Sequence, residues 1–90
     1  MSVTVLIPTS LKEWFDGRDE TTGSGRTVRA CFIDINARYP GFLDRILDDS
    51  GEISNVLIFV NGENIRNLDG LETSVKNSDE IGIIPLAAGG

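Results

Sequence analysis

Histidine is absent from this sequence of 90 residues, and cysteine occurs only once, as Cys31. Without histidine the chain lacks the usual general base that activates a serine or cysteine nucleophile, so hydrolase activity of its own is not expected. A single cysteine cannot form an internal disulfide or build a cysteine-rich metal site. We therefore expect a protein that is not an enzyme, that holds no cofactor or metal, and that works in the cytoplasm.

Basic residues and long apolar runs are also scarce. Eight Lys and Arg stand against 14 Asp and Glu, which gives a formal net charge of −6. Nucleic acid is not an expected partner, because phosphate binding needs clustered basic residues. No run of about 18 apolar residues occurs and no secretory signal pattern is present, so neither membrane insertion nor export is expected. The excess of acidic residues indicates either a partner with a basic surface or a contribution to solubility alone.

Apolar periodicity and turn signals predict five strands and one main helix in a single domain. The helix begins after Thr27 as its N-cap, carries apolar residues at spacings of three and four, and stops at Pro40-Gly41. Asn61-Gly62 favours a type I′ hairpin turn. The predicted strands cover residues 2–8, 19–24, 55–60, 63–66 and 79–85, with the main helix at 28–39 and a further helical turn at 42–47.

The order β-β-α-β-β-β predicts an α+β fold of the β-grasp type, in which a mixed sheet of about five strands packs on one main helix. The first and last strands then lie parallel in the middle of the sheet. We expect residues 1–85 to form this domain and residues 86–90 to form a flexible C-terminal tail. Leu68, Leu71 and Val75 are expected to lie beneath a loop. Trp14 and Phe15 are expected to pack in the core or to anchor a loop.

Strand side chains alternate between the two faces of a sheet, which divides the apolar residues into two sets. The set predicted to face the helix comprises Val3, Val5, Ile7, Ile58, Val60, Ile81 and Ile83. Leu6, Phe59 and Ile84 then project from the opposite face. Exposed apolar side chains clustered beside the C-terminal segment indicate a protein-binding patch. The alternative is a small second core covered by the Trp14 loop.

The sequence ends in small and apolar residues, Pro85-Leu86-Ala87-Ala88-Gly89-Gly90. Glycine lacks Cβ, so two in succession form a narrow thread that can enter an enzyme channel. A terminal carboxylate has a pKa of about 3.5 and is a poor electrophile at neutral pH, so acyl chemistry there requires activation, as by transfer of AMP from ATP. The alternative is that Gly-Gly is merely a frayed terminus.

Several segments carry a resemblance to a known family. They are the runs Val-Asn-Gly-Glu-Asn-Ile-Arg at 60–66, Gly-Leu-Glu-Thr at 70–73, Asp-Glu-Ile at 79–81 and the final Ile-Pro-Leu-Ala-Ala-Gly-Gly at 84–90. The chain resembles the ubiquitin-like sulfur carriers: the small subunit of molybdopterin synthase, the thiamin-pathway carrier and the carrier that feeds a thiocarboxylate-dependent cysteine synthase. The likeness covers the whole length and is faint across residues 10–26.

The resemblance implies a role for each residue of the tail. An E1-like enzyme that uses ATP would adenylate Gly90, a sulfur donor would convert it to a thiocarboxylate, and a downstream synthase would accept the sulfur. Gly89 would be the spacer. The arm that contacts the partner would comprise Pro85, Leu86, Ala87 and Ala88. The chain by itself is expected to be a monomer.

Two other functions stay open. Gly90 could join a target lysine through an isopeptide bond, as in ubiquitin, or the domain could be an interaction module with an inert tail. The carrier and the modifier share one activated intermediate, so the sequence does not separate them. The pathway that receives the sulfur is also open among cysteine, molybdopterin, thiamin, methionine and tRNA thiolation.

Three weaker signals have structural interpretations beside functional ones. The run Gly-Ser-Gly-Arg-Thr at 23–27 resembles a phosphate-binding turn but lacks the full spacing, so a plain strand-to-helix turn is expected. Cys31 lies on the apolar stripe of the helix and is expected to pack in the core rather than relay sulfur. Asp48, Asp49 and Glu52 lack calcium-loop spacing and are expected in a solvated loop.

Overall fold

Strands and helices follow the predicted order in a computed structural model that describes residues 2–86. Met1 and residues 87–90 lie outside the described part. The strands are β1 (Val3–Leu6), β2 (Glu20–Gly23), β3 (Val56–Val60), β4 (Glu63–Asn64) and β5 (Glu80–Pro85), and the helices are α1 (Val28–Arg38) and α2 (Phe42–Ile46). Short 3₁₀ helices cover Thr9–Phe15, Ile65–Asn67 and Gly70–Glu72.

The five strands form one mixed sheet in the order β2-β1-β5-β3-β4. β1 and β5 are parallel, with Val5 opposite Ile81, and every other neighbouring pair is antiparallel. β5 therefore occupies the centre of the sheet and is hydrogen-bonded on both edges. This arrangement, with α1 packed on one face, confirms the predicted β-grasp fold.

Helix α1 begins where the sequence predicts. The Oγ1 of Thr27 accepts a hydrogen bond from the N–H of Ala30 at 3.1 Å, which satisfies one of the free donors at the helix start. The helix ends at Arg38, two residues before Pro40, because proline disfavours helical backbone in the residue before it. Its core-facing stripe is fully buried: Val28, Cys31, Phe32 and Ile35.

The core lies between α1 and one face of the sheet. Phe42 of α2 packs edge-on against Phe15 and Phe32, with ring centroids 5.4 Å and 5.3 Å apart. Full burial of a phenylalanine side chain contributes about 1.5–3 kcal/mol, so these rings form a large part of the stabilising contacts. Every strand residue predicted to face the helix is buried: Val3, Val5, Ile7, Ile58, Val60, Ile81 and Ile83.

Gly23 and Gly25 allow the connection between β2 and α1 to lie directly against the helix. A Cβ on Gly25 would come within 2.6 Å of the Cβ of Ala30, and one on Gly23 within 2.9 Å of the carbonyl oxygen of Cys31. Real Cβ atoms do not tolerate such contacts with backbone, so close packing explains both glycines. The geometry is that of the plain strand-to-helix turn that was expected.

Some predicted boundaries and placements are wrong. The strand predicted at 63–66 ends at Asn64, because the Asn64 side chain accepts the N–H of Arg66 at 2.8 Å and turns the chain into a 3₁₀ helix. Leu68, predicted beneath a loop, is 44% exposed, whereas Val75 is buried. Residues 9–15, for which no regular element is predicted, form a 3₁₀ helix that buries Phe15. Of the helices between residues 2 and 86, none has the length and apolarity to cross a lipid bilayer.

Candidate functional site: the end of β5 and the open face of the sheet

The C-terminal segment leaves from the central strand. β5 ends at Pro85, opposite Val56, and the N–H of Leu86 donates to the carbonyl of Asn55 at 2.9 Å. Leu86 is 49% exposed. The predicted arm and reactive residues beyond it lie outside the described residues: Ala87, Ala88, Gly89 and Gly90. Their roles stay predictions, as does the division into residues 1–85 and 86–90.

Side chains on the face opposite α1 form an open apolar patch. Leu6 and Ile84 are 37% and 49% exposed, and Phe59 is half-buried. Gly82 lies between Leu6 and Phe59 in the sheet register, and Ile84 lies opposite Leu57. The structure thus places Leu6, Phe59 and Ile84 on one face, as alternation predicts, next to the exposed Pro85 and Leu86. Their role in partner binding stays a prediction.

Trp14 packs elsewhere. The guanidinium carbon of Arg45 in α2 lies 4.4 Å from the centroid of its ring. The same ring lies beside Gly41, the residue before α2. Trp14 therefore belongs to the α2 end of the molecule, on the helical side. This position argues against a second core in which the Trp14 loop covers the patch.

Carboxylates border the open face. Glu20 is the register partner of Leu6 on β2, and Glu80 is that of Thr4 on β5. Both are exposed, and neither takes part in an ion pair among residues 2–86. The open face therefore combines apolar side chains with two carboxylates, a combination that is complementary to a surface of positive charge.

A hydrogen-bond network fixes the start of β5 to the β3–β4 turn. The side-chain amide of Asn61 donates to Asp79 Oδ1 at 3.0 Å, and the N–H of Lys76 donates to Asp79 Oδ2 at 2.9 Å. These bonds, with the charge of Lys76, hold the pKa of Asp79 below its ordinary value. Asn61 Oδ1 in turn accepts the N–H of Glu80. The strand that leads to the C-terminal segment is thereby anchored at its first residue.

The weaker candidates have structural roles. Cys31 is fully buried, and burial together with the nearby Asp34 raises the pKa of its thiol, which suits packing and not a sulfur relay. The Asp48 carboxylate accepts hydrogen bonds from the Ser50 hydroxyl and from the N–H groups of Glu52 and Ser50, which closes the loop and lowers the pKa of Asp48. Within residues 2–86, no group of three His, Cys, Asp or Glu side chains is placed to hold a metal ion.

Sequence reasoning did not identify Gly82 as a feature of the site. A Cβ built on Gly82 meets no heavy atom within 4 Å, so the glycine leaves an open gap in the patch. A glycine inside an otherwise β-branched strand is the sequence signal that could have revealed it, because such a glycine often marks close approach of another molecule.

Comparison with known proteins places this geometry in a family. A model of the ThiS family matches residues 5–90. The chain belongs to the ThiS family. The sulfur carrier protein CysO of Mycobacterium tuberculosis is 39% identical to this ThiS-family chain, and the alignment covers the whole of both proteins. This confirms the resemblance to ubiquitin-like sulfur carriers.

Solved structures agree with the fold of this ThiS-family chain. A chain in the crystal structure of the Amycolatopsis orientalis BexX/CysO complex is 34% identical, with a TM-score of 0.90 over 98% of this chain and 99% of that one. The solution structure of small archaeal modifier protein 1 from Methanosarcina acetivorans is 38% identical, with a TM-score of 0.81 over 99% of this chain and 96% of that one.

Proposed function

We propose that this chain is a sulfur carrier whose C-terminal glycine is adenylated and then converted to a thiocarboxylate. The full-length likeness to a protein named sulfur carrier carries the proposal. The sequence Ala-Ala-Gly-Gly at 87–90 supports it, because these residues follow an exposed segment at the end of the central strand. The chain is a carrier and not a catalyst, and the reaction takes place in the cytoplasm.

The chemistry requires two transfers at the Gly90 carboxyl group. A carboxylate oxygen attacks the α-phosphorus of ATP, pyrophosphate leaves, and an acyl-adenylate forms. Hydrosulfide from a sulfur donor then attacks the carbonyl carbon, the bond to AMP breaks, and the thiocarboxylate remains with loss of one proton. Gly89 and Gly90 lack side chains that would obstruct either attack.

The enzymes bind the folded domain and supply the catalytic groups. Residues 86–90, when extended, span about 17 Å, which lets Gly90 reach a buried active site while the sheet stays outside. The partners are an E1-like enzyme that uses ATP and a downstream synthase that accepts the sulfur. The open patch of Leu6, Phe59 and Ile84, continued by Pro85, Leu86, Ala87 and Ala88, supplies their docking surface.

Intact-mass analysis tests the proposal. The purified chain is incubated with its activating enzyme, ATP and sulfide, and we expect one oxygen to be replaced by sulfur. Deletion of Gly90 should abolish the mass change and leave the thermal unfolding midpoint unaltered, since a chain terminus contributes little burial. An unchanged mass of the full chain, in a reaction where a known carrier is converted, would overturn the proposal.

A second candidate function is protein modification. The 38% identical structure is named a small archaeal modifier protein, which favours this alternative. In it, the amine of a target lysine attacks the same acyl-adenylate, AMP leaves, and an isopeptide bond forms. Immunoblotting of a cell lysate for adducts larger than the free chain tests it. Adducts that vanish when Gly90 is deleted would establish the modifier role.

A further inference from the structure

Gly82 leaves a notch in the middle of the open face. Leu6 is its register partner on β1, and Phe59 is its register partner on β3. Neighbouring strands lie about 4.8 Å apart, so the Cα atoms of Leu6 and Phe59 are separated by about 10 Å with no side chain between them. A Cβ on Gly82 would meet nothing within 4 Å. Packing within the domain therefore does not account for a glycine here.

The notch has three apolar walls and one charged wall. Leu6 and Phe59 border it across the sheet. Ile84 and Glu80 border it along β5, because residues two apart in a strand share a face. Glu80 is exposed and has no ion pair among residues 2–86, and the same holds for Glu20 beyond Leu6.

We propose that the notch receives one arginine side chain of the enzyme that activates Gly90, an inference that rests on the proposed function. The methylene stem of arginine packs against Leu6 and Ile84, and its planar guanidinium lies over the Phe59 ring and pairs with Glu80. An uncharged apolar side chain would cover the Glu80 carboxylate without a partner, which is unfavourable. Glu20 and the net charge of −6 add attraction for a basic surface. Gly82 thus determines partner specificity.

Steady-state kinetics of thiocarboxylate formation test this assignment. The activating enzyme is purified from the source cells by its ability to convert the wild-type chain. Gly82→Leu fills the notch, so KM for the chain should rise about tenfold while kcat changes little. Glu80→Gln removes the charged wall, so KM should rise about three- to fivefold and depend less on salt concentration. Thr22→Leu places the same leucine side chain on the same face but on β2, away from the notch, and should change KM less than about twofold.

Each outcome decides a separate point. Thermal unfolding of every variant checks its fold, and Gly82→Ala, which adds one methyl group, replaces Gly82→Leu if the larger side chain prevents folding. An unchanged KM for a folded Gly82 variant would overturn the notch as a binding site. If KM rises for Gly82→Leu but is unchanged for Glu80→Gln, the notch binds an apolar side chain and the assignment of arginine is wrong. If no fraction converts the wild-type chain, the proposed function itself fails and the inference falls with it.

Discussion

Gly25, next to α1, and Gly82, in β5, differ in the space around them. Gly25 lies so close to α1 that any side chain would collide with Ala30 and with the backbone at Cys31. Gly82 has open space above it. The residue type alone does not separate these cases, since glycine is the residue at both positions. Only the packing of the β2–α1 connection on α1 distinguishes a glycine required by the fold from one with open space above it.

Substitution of these glycines should have opposite effects on stability. We expect Gly25→Ala to lower the free energy of unfolding by about 1–3 kcal/mol, because the methyl group overpacks the contact with the helix. Gly82→Ala should raise it by about 0.5–1 kcal/mol, because alanine loses less conformational entropy in a strand. Urea denaturation of both variants measures the difference. Equal stabilities would show that the connection can move away from α1 at no cost.

At the scale of elements, the start of β5 depends on an ionised carboxylate. Asp79 accepts hydrogen bonds from Asn61 and Lys76 in the folded protein, and its pKa lies below the ordinary value of 3.8. A depressed folded-state pKa contributes stability that is present above the unfolded-state pKa and is lost as pH falls through the folded-state pKa. The stability of the contact between the Asn61-Gly62 turn and the start of β5 therefore depends on pH.

The Asp79→Asn variant should consequently lose less stability in acid than the wild type. As pH falls below 3.8, the ordinary pKa of an aspartate, we expect the free energy of unfolding of the variant to fall less steeply than that of the wild type. Denaturant unfolding at a series of pH values provides the slopes. Parallel slopes for both proteins would exclude Asp79 as a source of acid sensitivity.

Element types could be predicted from periodicity and caps, but some ends and irregular segments could not. The Thr27 cap and the apolar stripe from Val28 to Ile35 specify α1 locally. Asn61 and Gly62, the two central residues of the β3–β4 turn, both have positive φ, as a type I′ turn requires. The predicted length of β4 was too great because the side chain of Asn64 accepts the backbone N–H of Arg66. The 3₁₀ helix at Thr9–Phe15 was missed, although its two buried residues are four positions apart.

At the scale of the whole molecule, one face of the sheet packs on the core and the other face is open. Alternation along β1, β3 and β5 was enough to predict which residues share the open face. It was not enough to predict the position of Trp14, which depends on how the 3₁₀ helix packs against α2. The gap at Gly82 needed the cross-strand register, which the sequence of one strand does not contain.

This two-sidedness predicts contrasting effects of a charge placed on neighbouring residues of β3. Phe59→Glu should weaken binding to the activating enzyme at least about tenfold and cost about 1 kcal/mol of stability, because Phe59 is half-exposed. Ile58→Glu buries an unpaired charge in the core and should cost more than about 3 kcal/mol. Titration calorimetry and thermal unfolding measure the two effects. Unfolding of Phe59→Glu would show that the two faces are assigned in reverse.

The position of β5 between β1 and β3 also has a mechanical consequence. Under a force applied beyond Leu86, the tension runs along β5 and is resisted at the same moment by backbone hydrogen bonds on both edges of the strand. Load in that direction shears many bonds together and does not peel them one by one. The strand that leads to the C-terminal segment is thus the one best braced against traction.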